Sequence, residues 1–150
     1  MPGRYFEDWV IGDRLEHQPH RTVTETDNLL ISTLTHNPQP LHLDAEYAAR
    51  TEFGEIIVNG TFTFALMIGL SVGDTTLGTL VANLGYDKVR MPKPVFIGDT
   101  LRAESEVIGL RDSKSRPDAG IVTFGHWLYN QRDDIVCMCE RTGLMLRSPE

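Results

Sequence analysis

One uncharged run, Ile56 to Val72, followed by four long β-prone segments, constrains this chain more than any other feature. Ile56-Ile57-Val58 brings the chain inward, Asn59-Gly60 marks a sharp turn, and Thr61 to Val72 is apolar on nearly every side, the pattern of a core helix. Twelve such residues make about 18 Å of helix, enough to run the length of a small sheet. Gly69 and Ser71 are small enough for a sheet to approach, and Gly73-Asp74 is the expected stop. The segments Gly78 to Arg90, Thr100 to Arg111, Gly120 to Asn130 and Ile135 to Leu146 are rich in β-branched and aromatic residues. Turn residues separate them at Pro92 to Pro94 with Gly98-Asp99, at Ser113 to Asp118 and at Gln131 to Asp134. Consecutive strands after a single core helix predict an antiparallel sheet packed on that helix, an α+β fold.

Ahead of the run, Tyr5 to Glu16 reads as an arm laid over the domain, and His20 to Glu25 as a short β-prone piece. Thr26-Asp27 is placed to cap a helix over Asn28 to Thr35, which Pro38 ends by pushing its predecessor out of the helical region. Asn37-Pro-Gln-Pro40 is then irregular and stiff. Asp44 caps a further short helix through Arg50, broken at Phe53-Gly54-Glu55.

The length of 150 residues suits one domain, residues 1–150. The run Ile56 to Val72 is too short and too polar for a spanning helix, which needs about 20 mostly apolar residues. The segment Met1 to Trp9 has no apolar signal region, so the expectation is a cytoplasmic protein with no membrane association. A net charge of −7 argues against nonspecific nucleic-acid binding, which needs many phosphate-neutralising cations. The charge is unevenly spread: seven of the 14 basic residues, Lys88, Arg90, Lys93, Arg102, Arg111, Lys114 and Arg116, fall in one stretch. Such a patch suits a compact phosphate-bearing ligand, and equally a solvated sheet face of mixed charge. Cys137 and Cys139, two apart on one strand, point to the same face and read as buried, inert thiols. No metal site is expected.

Chemistry concentrates between Thr33 and Asp44. An imidazole can both take and give a proton at neutral pH, which makes His42 the best candidate for proton transfer. It is accompanied by Asn37, two stiffening prolines and, downstream, a glycine-led helix start. Backbone N–H groups at a helix start lack intrahelical partners and sit at the positive end of the helix dipole. Gly60, without a side chain, would let an acyl oxygen reach its N–H, and one such donor supplies ~3 kcal/mol of transition-state stabilisation. His36 points away from its neighbour and is a poor substitute base. His126 alternates with Val122, Phe124 and Leu128 and reads as a core or interface histidine, whereas His17 and His20 have no visible partners.

The segment Thr35-His-Asn-Pro-Gln-Pro-Leu-His-Leu-Asp44, with Phe53-Gly54 and Asn59-Gly60-Thr61, resembles the hydratase motif of the MaoC-like, or (R)-specific enoyl-CoA hydratase, family. Pro92-Lys-Pro-Val-Phe-Ile-Gly-Asp-Thr-Leu101 resembles that family's strand-connecting segment, and Ser113 to Asp118 with Gly120-Ile-Val-Thr is similar to the mesaconyl-CoA hydratase subgroup. The resemblance implies a hotdog fold, a long sheet curled around the Thr61 to Val72 helix, and a homodimer with sheets continued across the interface. It implies syn hydration of a trans-2-enoyl-CoA, or the reverse dehydration, by an Asp and a His that share a water. The His falls on His42 and the Asp on Asn37, an amide that orients water but cannot deprotonate it. His42 then carries proton transfer and Gly60 polarises the carbonyl. Asn59, Thr61, Arg90, Lys114 and Arg116 are assigned to substrate and CoA, and CoA enters as part of the substrate with no other cofactor. A hotdog thioesterase and a noncatalytic acyl-CoA-binding subunit are the alternatives.

Overall fold

The computed structural model describes residues 3–149. Within them the strands β1 (Arg14–Glu16), β2 (Arg21–Thr22), β3 (Leu80–Arg90), β4 (Thr100–Asp112), β5 (Ala119–Tyr129) and β6 (Ile135–Leu146) form one antiparallel sheet. Its order is β1-β4-β5-β6-β3, with β2 also paired to β4, so β3 is an edge strand. The four long strands agree with the expected segments to within two residues at every end. Along β4 every second residue points inward, and Leu101, Ala103, Ser105 and Val107 are buried, the period-two signature of a strand with one covered face.

Four helices precede or cross the sheet: α1 (Glu25–Leu34), α2 (Pro40–Leu43), α3 (Ala45–Ala49) and α4 (Gly60–Thr75). Three expectations are corrected here. The first helix starts at Glu25 because Thr24 and Asp27 close a capping box, the Asp27 N–H donating to Thr24 Oγ1 at 3.2 Å and the Thr24 N–H to Asp27 Oδ2 at 2.8 Å. The stretch ending at Pro40 is not irregular throughout, since Pro40 is the first residue of α2, where a missing N–H costs nothing. And α4 continues through Gly73-Asp74 to Thr75, whose hydroxyl donates to the Ser71 carbonyl at 2.6 Å.

The N-terminal arm is more regular than expected. Its residues Phe6–Asp8 form a 3₁₀ turn and β1 pairs with β4. Trp9 lies edge-on to Phe124 at 5.2 Å, with Val107, Val122 and Met145 around it, making a second core at one end of the sheet. The main core lies under α4, where Met67, fully buried, meets Leu101, Ala103, Leu128 and Val136. Only every fourth helix residue, Thr63, Met67, Ser71 and Thr75, is buried. The opposite row, Thr61, Ala65, Gly69 and Gly73, is exposed. Within one chain α4 is therefore covered on one side, and Gly69 faces away from the sheet it was expected to admit.

Cys137 and Cys139 are buried in the main core as free thiols, and burial pushes their pKa values up to about 11 and about 12. Both are inert at neutral pH.

Candidate active site

The start of α4 is built by asparagines. The Asn59 side-chain oxygen accepts from the Thr61 N–H at 3.0 Å and the Thr61 hydroxyl at 2.7 Å, while the Phe62 and Thr63 N–H groups bond the Asn59 carbonyl. Among the first N–H groups of the helix, that of Gly60 is left without an acceptor among the described residues. Asn59, 2% exposed, is thus the N-cap of the helix, and the exposed Thr61 is engaged by it.

His42 is carried by α2. Its Nδ1 lies 2.8 Å from the Ile57 carbonyl, which can only accept, so the neutral ring holds its proton on Nδ1. Nε2 is left as an acceptor with no partner among the described residues, the form a general base requires. One buried residue braces both halves of the site: the Asn28 amide donates to the His42 carbonyl at 2.9 Å and its oxygen accepts the Asn59 N–H at 2.9 Å. Asn28 was read only as an early helix residue, because nothing local marks a side chain whose partners lie 14 and 31 positions away.

His42 and Gly60 line a common cavity of about 340 Å³, small for a ligand pocket. Its walls are largely apolar, from Phe53, Ile57, Val58, Met91 and Val136, and Lys93 stands at the margin, paired with Asp134 at 3.0 Å. Asn37 is not part of the lining. Its oxygen accepts the Gln39 N–H at 3.0 Å, stiffening the turn between α1 and α2. His36 is exposed, held at φ 55° and absent from the cavity lining.

The basic stretch does not converge on the cavity within one chain. Lys88 pairs with Glu140, Arg102 with Asp133 and Glu104, and Arg116 with Asp118. Arg90 directly precedes the cavity-lining Met91. Lys114 and Arg116 sit in the β4–β5 turn, at the opposite end of the sheet from Val136. The 11 residues of β5 separate the two ends by roughly 35 Å.

A second polar cluster lies at the other end of α4, about 20 Å from Gly60 along the helix. Arg141 Nε donates to His126 Nε2 at 3.1 Å, and because a guanidinium cannot accept, His126 keeps its proton on Nδ1 and donates to Ser105 Oγ at 2.6 Å. Ser105 in turn donates to His17 Nε2 at 2.7 Å, and His17 Nδ1 donates to Asp74 at 2.9 Å. Burial, and then the Arg141 charge, push the His126 imidazole well below the usual histidine range. Asp-His-Ser is the order of a hydrolase triad, yet Ser105 is 1% exposed and clamped between two rings, so no acyl group reaches it. His126 is the core histidine expected, whereas His17 has partners that the sequence did not reveal.

Among the described residues no helix is long and apolar enough to cross a membrane, and no group of three or more His, Cys, Asp or Glu is gathered around a common point.

Residues 7–127 match the family described as the MaoC like domain. The mesaconyl-CoA hydratase of Cereibacter sphaeroides is 38% identical over 134 residues, which are 89% of this chain and 38% of that protein. This chain therefore spans well under half the length of that relative. A solved structure described as a monoamine oxidase regulatory protein from Archaeoglobus fulgius superposes with a TM-score of 0.88 at 33% identity, covering 99% of this chain and 98% of the other. A Mycobacterium tuberculosis protein described as a double hotdog fold superposes at 0.89 with 25% identity, covering 99% of this chain and 46% of that one. The fold is the hotdog fold.

Proposed function

This chain belongs to the MaoC-like domain family, and from that premise we propose that it is a single catalytic domain, residues 1–150, that hydrates trans-2-enoyl-CoA thioesters or dehydrates 3-hydroxyacyl-CoA. The observation that carries the reading is the meeting, in one small cavity, of His42, held through Nδ1 with its Nε2 unpartnered among the described residues, and the open Gly60 N–H. In hydration a water gives its proton to His42 Nε2 as its oxygen bonds carbon 3. The negative charge that develops on the thioester oxygen is held by the Gly60 N–H and the positive end of α4. The proton then passes to carbon 2. The similarity to a mesaconyl-CoA hydratase supports a short, branched or dicarboxylic acyl group, for which the cavity has room and Lys93 a charge. CoA enters as part of the substrate, and the reaction as written draws on no other group.

The apolar shoulders of α4 and the 11-residue edge β3, with Val81, Leu84, Tyr86 and Val89 exposed, support a homodimer joined along β3. A two-fold axis at that edge turns the β4–β5 turn of the second copy toward the cavity end of the first. Lys114 and Arg116 of the partner subunit, with Arg90 of the chain itself, are then our candidates for the CoA phosphates.

A second reading, a noncatalytic acyl-CoA-binding subunit, is favoured by Asn37, an amide engaged in its own turn. Incubation with crotonyl-CoA, mesaconyl-CoA and longer enoyl-CoAs separates the readings. Loss of enoyl absorbance without free thiol is the expected result, and it disappears in His42→Ala with the fold retained by circular dichroism. Thiol release identifies a thioesterase, binding alone the second reading, and full turnover in His42→Ala would remove that residue from the mechanism.

A further inference from the structure

Beyond β3 the chain stiffens at Pro92 and Pro94, and the residue between the strand and these prolines, Met91, reaches back to the first residue of α4. A Cβ placed on Gly60 would come within 2.6 Å of Met91 Sδ and 3.2 Å of its Cε. With a Cα–Cβ bond of ~1.5 Å, the thioether therefore rests in van der Waals contact with the Gly60 backbone. Immediately beside it is the N–H that has no acceptor. A thioester oxygen hydrogen-bonded to that N–H lies about 2.9 Å from the nitrogen. The space open to its carbonyl carbon and the next carbon is then the cavity that Gly60 and Met91 line together. Apart from its chain neighbours and its own helix backbone, no other described residue has a heavy atom within 4 Å of that Cβ position.

Met91 is 46% exposed and has three side-chain torsions, so it can yield where the flanking prolines cannot. Resting on the reading of this cavity as a hydratase site, we infer that Met91 is the specificity-determining wall at carbon 2 of the acyl group. It shapes itself around a small substituent on the carbon next to the thioester, and so admits short 2-enoyl thioesters with a methyl branch there. Gly60 is required for the same contact, since any side chain at that position would displace Met91 and close over the N–H.

The test compares crotonyl-CoA with 2-methylcrotonyl-CoA in wild type, Met91→Ala and Met91→Phe. A methylene gained or lost in an apolar pocket changes discrimination by about 10-fold or more. The ratio of branched to unbranched kcat/KM is expected to rise by about that factor in Met91→Ala and to fall by a similar one in Met91→Phe. A purely structural role would depress both substrates together and leave the ratio where it was, and that result overturns the inference. Calorimetric binding of isobutyryl-CoA against butyryl-CoA, neither of which can be hydrated, reads the same preference without turnover. If wild type hydrates nothing but the binding ratio still moves in opposite directions in the two variants, the hydratase reading falls and the role of Met91 stands. If neither thioester binds, both fall.

Discussion

At the scale of single residues, the site turns on what two asparagines and a histidine are doing. His42 has its tautomer set by the Ile57 carbonyl, so the base is prepared by a backbone group rather than by an acid. By the family resemblance Asn37 stands where an acid is expected, and its oxygen is committed to the Gln39 N–H. A carboxylate would accept the same bond and keep a second oxygen for water. Asn37→Asp is therefore expected to preserve the turn and raise kcat on crotonyl-CoA by roughly 10²-fold, the low end of what one acid–base group contributes. An unchanged or lower rate would take that position out of proton transfer. The spacing of Asn37 and His42 was readable from the chain, because five residues with two prolines is a local motif. The bracing by Asn28 was not, since its two bonds exist only after α1, α2 and α4 meet.

At the scale of elements, the buried polar chain from Asp74 to Arg141 ties the arm, the end of α4 and the three central strands together. The groups facing His126 are Arg141, Ser105 and the stacked Phe124, with His17 beyond Ser105. Its folded pKa lies below the ordinary 6.5, so the unfolded chain binds the extra proton first. Stability is then full above that pH and is lost as pH falls through 6.5 toward the folded pKa, with a slope from this one group of about 1.4 kcal/mol per pH unit. Thermal unfolding measured from pH 7 to pH 5 should show this slope in wild type and a shallower one in His126→Gln. Equal slopes would assign the acid sensitivity elsewhere. The same chain explains why α4 outruns its expected stop: the Arg141 guanidinium donates to Thr75 at 3.3 Å and the Asp74 carboxylate is held by His17, so the last turn has tertiary partners. Gly73 opposed the helix only locally, at about 1 kcal/mol.

At the scale of the whole molecule, one chain leaves an edge strand and one face of its central helix open, and the proposed dimer closes both. Leu84, 53% exposed near the middle of β3, is the natural probe. Leu84→Lys is expected to give a monomer by light scattering and to lose enoyl-CoA hydration. A Leu84→Lys protein that stays dimeric and active would sink the β3 pairing. The sequence by itself determined the α+β class, the ends of four strands, the single apolar helix and the grouping of His42 with a glycine-led helix start. Each of these is written in periodicity, turn residues or short spacing, which act over a few residues. Only the tertiary structure decided that Asn59 is bonded to Asn28 and Ser32, that Lys114 and Arg116 lie a full strand away from the cavity, that His17 belongs to a buried chain, and that Met91 rests on Gly60. Those facts join residues up to 88 positions apart. They follow from strand order and register, because side chains distant in sequence meet only where the sheet and α4 place them.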